Sequence, residues 1–246
     1  MSRQGIDRFS LRSVFAGVAD QASLALQPRR AALARPLDMR VLELLTARLC
    51  HELSGPIAAI NNGVELLADE PAAETGGEDP NFAQSALAVV GDSAHRAANR
   101  LQFYRFAYGF GRGGGMVGSS PGDLARLLFE GTRIICDYAE STRSLPLDGQ
   151  KLACNLLLVG TEALSGRGTL ALTDGPAGLN LKATGETAAL PPETSAALVL
   201  ATPVEALTSR TVQAYFTGLL AEALGCRLIR AAEPGQIRLT AVSLAD

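Results

Sequence analysis

Residues 45–57 read LTARLCHELSGPI, and they contain one of only two histidines in the 246-residue chain. Apolar residues recur around this stretch in steps of three and four, which is typical of one face of a long helix. They are Leu42, Leu45, Leu49, Leu53, Ile57, Ile60, Val64 and Leu67. His51 lies off this stripe, so we expect its ring to face water.

Two long helices are expected in the first half of the chain. The first should run over about 38–69 with Asp38 as its N-cap. A loop over 70–81 then leads to a second helix that ends near residue 108. Its apolar stripe is Phe82, Ala86, Val90, Ala94, Ala97, Leu101, Tyr104 and Tyr108. Because each helix buries only one side, two such hairpins would close a four-helix bundle, and we predict a homodimer through residues 39–109.

Helices and strands alternate in the second half, after a glycine-rich linker at 110–122. The expected elements are helix 122–131, strand 132–138, helix 148–164, strands 168–173 and 179–184, a short helix after Pro192, helix 209–224, and strands 227–231 and 236–242. This order predicts helices packed on a mixed sheet over 123–246, so the fold class is α + α/β. Residues 1–38, which are rich in arginine, are expected to form a poorly ordered extension.

Composition and charge argue against several classes of function. The net charge of -3 disfavours nucleic acid as the main partner, and no apolar run reaches the roughly 18–20 residues of a membrane span. The four cysteines form no CxxC pair and lie in apolar stretches, so we expect buried free thiols in a reducing cytoplasm. They are Cys50, Cys136, Cys154 and Cys226. The sequence therefore favours a cytoplasmic protein that binds neither nucleic acid nor membrane.

His51 is the candidate nucleophile of this chain. A neutral, water-facing imidazole has a free ring nitrogen that can act as a nucleophile. Gly55 leaves space one turn later, and Pro56 should bend the helix below the ring. The zinc motif HExxH would need a second histidine at residue 55, which is glycine. His95 has no acidic residue directly after it, and we expect it to be a solvated residue on a helix face.

The HELxxP pattern at 51–56 resembles the phosphoacceptor box of bacterial histidine kinases. Together with NRLQFYRFAYG at 99–109, it makes the chain resemble the ChpT-type histidine phosphotransferases over about residues 40–244. The resemblance implies that His51 is the phosphoacceptor, and that Glu52 orients or deprotonates the imidazole at Nδ1 while the phosphoryl group sits on Nε2. Arg48 lies one turn before His51 and is expected to neutralise incoming negative charge.

The C-terminal half resembles the ATPase domain of histidine kinases in element order, but it departs from the nucleotide-binding motifs. In NLLLV at 155–159, Val159 stands where an asparagine would hold magnesium, and valine cannot coordinate a hard cation. After Asp174, Pro176 stands where the nucleotide loop requires its first glycine, and the ATG at 183–185 has no carboxylate. The resemblance therefore implies a degenerate ATPase-like domain that binds no ATP, cofactor or metal, with Mg²⁺ held by the receiver partner.

The function that this resemblance implies is phosphotransfer in a bacterial multistep phosphorelay. His51 would take a phosphoryl group from the receiver domain of a CckA-like hybrid kinase and pass it to CtrA-like and CpdR-like response regulators. Gly55 occupies the position where kinases with phosphatase activity carry threonine or asparagine. Two alternatives stay open: an autophosphorylating kinase with an unusual nucleotide site, and a non-catalytic dimeric scaffold in which the histidine is incidental.

Overall fold

The computed structural model describes residues 37–68, 82–109, 120–176 and 178–244. Six helices and five strands lie in these ranges. The predicted extension lies almost entirely outside the described residues. The predicted loop at 70–81 lies wholly outside them, as does most of the predicted linker.

Two long helices form a hairpin at the start of the described chain. Helix α1 spans Met39–Ala68 and helix α2 spans Phe82–Tyr108. Asp38 caps α1 as predicted, since its carboxylate accepts a hydrogen bond from the backbone N–H of Arg40 at 2.8 Å. The helices approach closely at Gly63, where an added Cβ would come within 2.5 Å of a methyl group of Val90.

The predicted apolar stripes are only partly buried within one chain. On α1 the buried residues are Val41, Leu45 and Gly63. Several large apolar side chains of the hairpin are 42–67% exposed, namely Met39, Leu42, Ile57, Val64, Leu66, Phe82, Leu87, Val89 and Leu101. Within one chain, the neighbouring helix and the C-terminal half cover only part of each stripe, and the closing of the remainder by a second hairpin stays a prediction.

The remaining elements form a helix layer on a five-stranded sheet. They are α3 (Pro121–Phe129), β1 (Arg133–Tyr138), α4 (Leu147–Ala163), β2 (Arg167–Gly175), β3 (Gly178–Thr184), α5 (Pro192–Leu198), α6 (Val212–Ala223), β4 (Cys226–Glu233) and β5 (Gln236–Ser243), with 3-10 turns at Glu140–Ser144 and Val204–Ala206. The strand order is β1-β2-β3-β5-β4. The β1–β2 pair is parallel and the other pairs are antiparallel, which confirms the predicted mixed sheet.

Two helix starts differ from the prediction for local reasons. Helix α3 begins inside the predicted linker, because Ser120 and Asp123 form a capping box in which each side chain accepts from the other's backbone N–H. Helix α6 begins three residues late, because the Thr208 and Thr211 side chains accept hydrogen bonds from each other's backbone N–H and hold a separate turn.

Helix α4 lies close against the sheet. A Cβ added at Gly160 would come within 2.7 Å of Leu181 Cδ2 and 2.8 Å of Leu170 Cδ2. Strands β2 and β3 form a hairpin whose last pair is Gly175 and Gly178. The chain therefore turns just after Asp174, between the strands predicted at 168–173 and 179–184.

The cysteines are less uniformly buried than expected. Cys154 and Cys226 are buried and Cys136 is half-buried, but Cys50 is exposed. The prediction of a buried thiol is wrong for Cys50, because that residue lies beside His51 on the outer side of α1. Within the described ranges, none of the helices has both the length and the apolar character required to cross a bilayer.

Candidate functional site

His51 lies on α1 and is exposed, as the helical periodicity predicts. The surface beside it is open, because Cys50, Ser54 and Gly55 are exposed as well. A Cβ added at Gly55 would meet no atom of the described residues within 4 Å. A second protein can therefore approach this side of the helix without displacing a neighbouring side chain.

The carboxylate of Glu52 is paired with Arg100 of α2. Arg100 Nη1 donates to Glu52 Oε2, and the same nitrogen lies 3.4 Å from the backbone carbonyl oxygen of Glu52. Both side chains are about one-third exposed, at 33% for Arg100 and 28% for Glu52. Sequence reasoning did not single out Arg100. The signal that could have found it is its position within the family-like segment at 99–109, across the hairpin from the phosphoacceptor box.

Arg48 is mostly covered and connects α1 to the C-terminal half. Its side chain is 13% exposed, its Nη2 lies 3.0 Å from Glu162 Oε1 on α4, and its Nη1 donates to the Ser209 carbonyl at 3.3 Å. Burial raises the pKa of Glu162 to about 7, although the Arg48 charge lowers it. The charge-neutralising role expected for Arg48 stays a prediction, and it would require the guanidinium to leave Glu162.

A second arginine of α1 makes a similar connection. Arg40 donates from Nε to the Val204 carbonyl at 3.2 Å and from Nη2 to the Leu207 carbonyl at 3.1 Å. Arg40 and Arg48 lie two turns apart on the helix, so both fix the same side of α1 to the segment that precedes α6. His51 lies one turn beyond these attachments.

A network of buried hydrogen bonds holds the C-terminal end of α2. Asn155 of α4 donates to the Ala107 carbonyl at 2.9 Å and to the Lys151 carbonyl at 2.8 Å. Gln213 of α6 donates to Asn155 Oδ1 at 2.9 Å and accepts a hydrogen bond from the Tyr108 hydroxyl. Asn155 and Gln213 are fully buried. Sequence reasoning placed Asn155 in the segment similar to the kinase nucleotide box but did not predict this attachment.

The tyrosines of α2 support the same junction. Burial raises the pKa of Tyr104 to about 12 and that of Tyr108 still further, so both hydroxyl groups stay protonated at neutral pH. The ring of Tyr108 packs edge-on against Phe216 of α6, with centroids 5.5 Å apart. The site is thus an exposed histidine on a helical hairpin whose attachment to the C-terminal half is largely buried.

His95, the other histidine, is exposed on α2, as expected. It lines a polar surface depression of about 350 Å³ with Asp92, Arg96, Asn99 and Glu130. In the part of the chain that the structure describes, no three His, Cys, Asp or Glu side chains are grouped as metal ligands. Val159, at the position where a kinase would hold magnesium, is fully buried among apolar residues.

Comparisons with known proteins agree with this arrangement. Residues 122–235 match the family model described as the histidine phosphotransferase C-terminal domain. The protein phosphotransferase ChpT of Brucella abortus (strain 2308) is 32% identical over 203 residues, which cover 78% of this chain and 92% of the relative. A solved bacterial phosphotransferase is 31% identical and superposes with a TM-score of 0.63, covering 85% of this chain and all of that one. On this identity and coverage, the chain belongs to the ChpT-type family of histidine phosphotransferases.

Proposed function

We propose that this protein carries phosphoryl groups between receiver domains in a bacterial phosphorelay, with His51 as the acceptor. The observation that carries the proposal is the exposure of His51 on α1, within the HELSGP box, in a chain that belongs to this family. The donor would be the receiver domain of a CckA-like hybrid kinase, and the acceptors would be CtrA-like and CpdR-like regulators in the cytoplasm.

The transfer is a displacement at phosphorus. The Nε2 lone pair of His51 attacks the phosphoryl group of an aspartyl phosphate, the N–P bond forms, and the aspartate carboxylate leaves with the electrons of the O–P bond. Glu52 supports the reaction by accepting a hydrogen bond from Nδ1–H, which stabilises the positive charge that develops on the ring. In the second transfer, the aspartate carboxylate of the next receiver attacks the phosphorus and an O–P bond forms. The N–P bond to Nε2 breaks, and its electrons return to the ring nitrogen. Mg²⁺ held by the receiver partner would neutralise the phosphoryl oxygens, and this chain would contribute the nucleophile and its orientation.

The exposed apolar residues of the hairpin support a homodimer. Large apolar patches on a soluble protein commonly mark interaction surfaces. A depression of about 380 Å³ on the hairpin is lined by Gly63, Leu66, Phe82, Ala86 and Val89 among others. We propose that a second hairpin covers this face to form the four-helix bundle. Light scattering should give twice the mass of the chain, and Val89→Asp should give the mass of a monomer.

A reconstituted relay tests the function. A receiver domain phosphorylated with labelled phosphate is mixed with the wild-type protein, with His51→Ala and with His95→Ala. We expect an acid-labile label on the wild-type protein and on the His95 variant, with none on the His51 variant. Label on the His51 variant would refute the proposal.

Two further arms distinguish the alternatives. Label from ATP on His51 without any receiver would favour an autophosphorylating kinase. Normal transfer to the response regulator in the presence of His51→Ala would favour a scaffold. Equal circular dichroism spectra of the two histidine variants show that the comparison concerns chemistry and not folding.

A further inference from the structure

Pro56 leaves one backbone acceptor of α1 without its usual donor. In an α-helix the N–H of each residue bonds the carbonyl four positions earlier, and proline has no N–H. The acceptor affected by Pro56 is the carbonyl of Glu52, the residue that follows His51. Helix α1 nevertheless continues from Met39 to Ala68.

Arg100 of α2 supplies a donor to the carbonyl oxygen that lacks its usual helix partner. Its Nη1 lies 3.4 Å from the Glu52 carbonyl oxygen and also donates to Oε2 of the Glu52 carboxylate. One guanidinium nitrogen therefore contacts both the backbone and the side chain of the same residue. The proline makes the backbone contact available, and the charge of Arg100 fixes the carboxylate.

We propose that Arg100 is a positioning residue for phosphoryl transfer at His51, which it affects by holding Glu52. This inference rests on the proposed function of His51. A carboxylate has two oxygens and about four acceptor sites. Within the described residues, every hydrogen bond of the Glu52 carboxylate uses Oε2. Arg100 therefore restrains Oε2, and Oε1 is the oxygen that we expect to accept from the Nδ1–H of the imidazole.

The exposure of the pair argues against a purely structural role. Ion pairs that are about one-third exposed contribute little to folding stability, and this pair has side-chain exposures of 33% and 28%. The pair formed by Arg48 and Glu162 is much more covered, at 13% and 16%. Removing Arg100 should therefore affect the orientation of Glu52 more than it affects the fold.

The test uses potassium phosphoramidate, a small phosphodonor that requires no partner protein. In transfer from phosphoramidate the N–P bond to His51 forms, the P–N bond of the donor breaks, and ammonia leaves. All variants carry His95→Ala, so that label reports His51 alone. The variants are Arg100→Met, Arg100→Lys and the matched control Arg96→Met, which removes an exposed arginine one turn earlier on α2.

We expect Arg100→Met to slow phosphorylation of His51 by about tenfold, since a positioned acid or base contributes roughly 10²–10⁴-fold and only its orientation is lost. Lysine keeps the charge and can donate twice from one nitrogen, so Arg100→Lys should remain within about threefold of the parent. Arg96→Met should leave the rate unchanged. In a Glu52→Gln background, Arg100→Met should have little further effect, because the group that it holds is already altered.

Two results would overturn the inference: an unchanged rate in Arg100→Met, or an equal loss in the Glu52→Gln background. Failure of the proposed function has a different signature. In that case phosphoramidate labels His51 normally and Arg100→Met slows the labelling, but no receiver exchanges phosphate with the protein. Circular dichroism of each variant confirms that the rates refer to folded chains.

Discussion

Replacement of Asn155 by alanine should loosen the junction between the helical hairpin and the C-terminal half. The substitution removes the hydrogen bond that Asn155 donates to the Ala107 carbonyl and the one that it accepts from Gln213. Each buried polar group left unpaired costs about 1–3 kcal/mol. Gln213 also lies 3.4 Å from Thr217 Oγ1, which preserves part of its bonding. We therefore expect a loss of about 2–4 kcal/mol in the free energy of unfolding.

Urea denaturation followed by circular dichroism measures this loss, and thermal unfolding should show a decrease in Tm of about 5–12 °C for a chain of this size. The matched control is Asn61→Ala, which changes an exposed asparagine on α1 and should alter stability by less than about 0.5 kcal/mol. In a double-mutant cycle, Asn155→Ala and Gln213→Ala should show a coupling of about 1 kcal/mol. Equal stabilities of Asn155→Ala and Asn61→Ala would refute the reasoning.

Two further predictions concern α4. Burial raises the pKa of Glu162 from 4.5 to about 7 in the folded chain, so the folded state binds the proton of this carboxyl group more tightly than the unfolded state does. The stabilisation that results is complete below about pH 4.5, and the free energy of unfolding falls by roughly 3 kcal/mol as the pH rises past 7. Urea denaturation at about pH 5 and about pH 8 should show this loss in the wild type and a flatter profile in Glu162→Gln; parallel profiles would contradict it. Gly160→Ala places a Cβ within 2.7 Å of Leu181 Cδ2 and should cost about 1–3 kcal/mol. At Gly91 an added Cβ meets no described atom within 4 Å, so Gly91→Ala should instead stabilise α2 by about 0.5–1 kcal/mol. Equal effects of the two substitutions would show that the close contact at Gly160 does not destabilise the Gly160→Ala variant.

Local sequence signals predicted where helices and strands lie. Asp38 caps the start of α1, and Gly225, with a φ of 68°, follows the end of α6. Both act on residues close in sequence, so spacing and turn chemistry suffice to find them. Local signals also determine the two helix starts that differ from the prediction, of which α3 begins earlier than expected and α6 begins later. The capping box of Ser120 and the turn between Thr208 and Thr211 are also local, but their signals compete with neighbouring glycines and apolar residues.

The contacts of the site residues could not be predicted in the same way. The sequence placed His51 on the outside of α1, because periodicity determines which side of a helix a residue occupies. It did not predict that Arg48 reaches Glu162 or that Arg100 holds Glu52, since these pairs are 114 and 48 positions apart. Such contacts depend on how α1 docks on other helices. The half-exposed Leu42 and Ile57 show the same limit, because a helix stripe does not reveal which neighbour covers it.

The start of α1 and the end of α2 share an apolar core with the C-terminal half. Val41 of α1 and Phe103 of α2 are completely enclosed, and they belong to one continuous cluster with Leu152 and Leu156 of α4. A hairpin expressed alone would expose these side chains to water and lose the packing that stabilises the part of α1 next to His51. The C-terminal half thus supports, through packed side chains, the helix on which His51 lies.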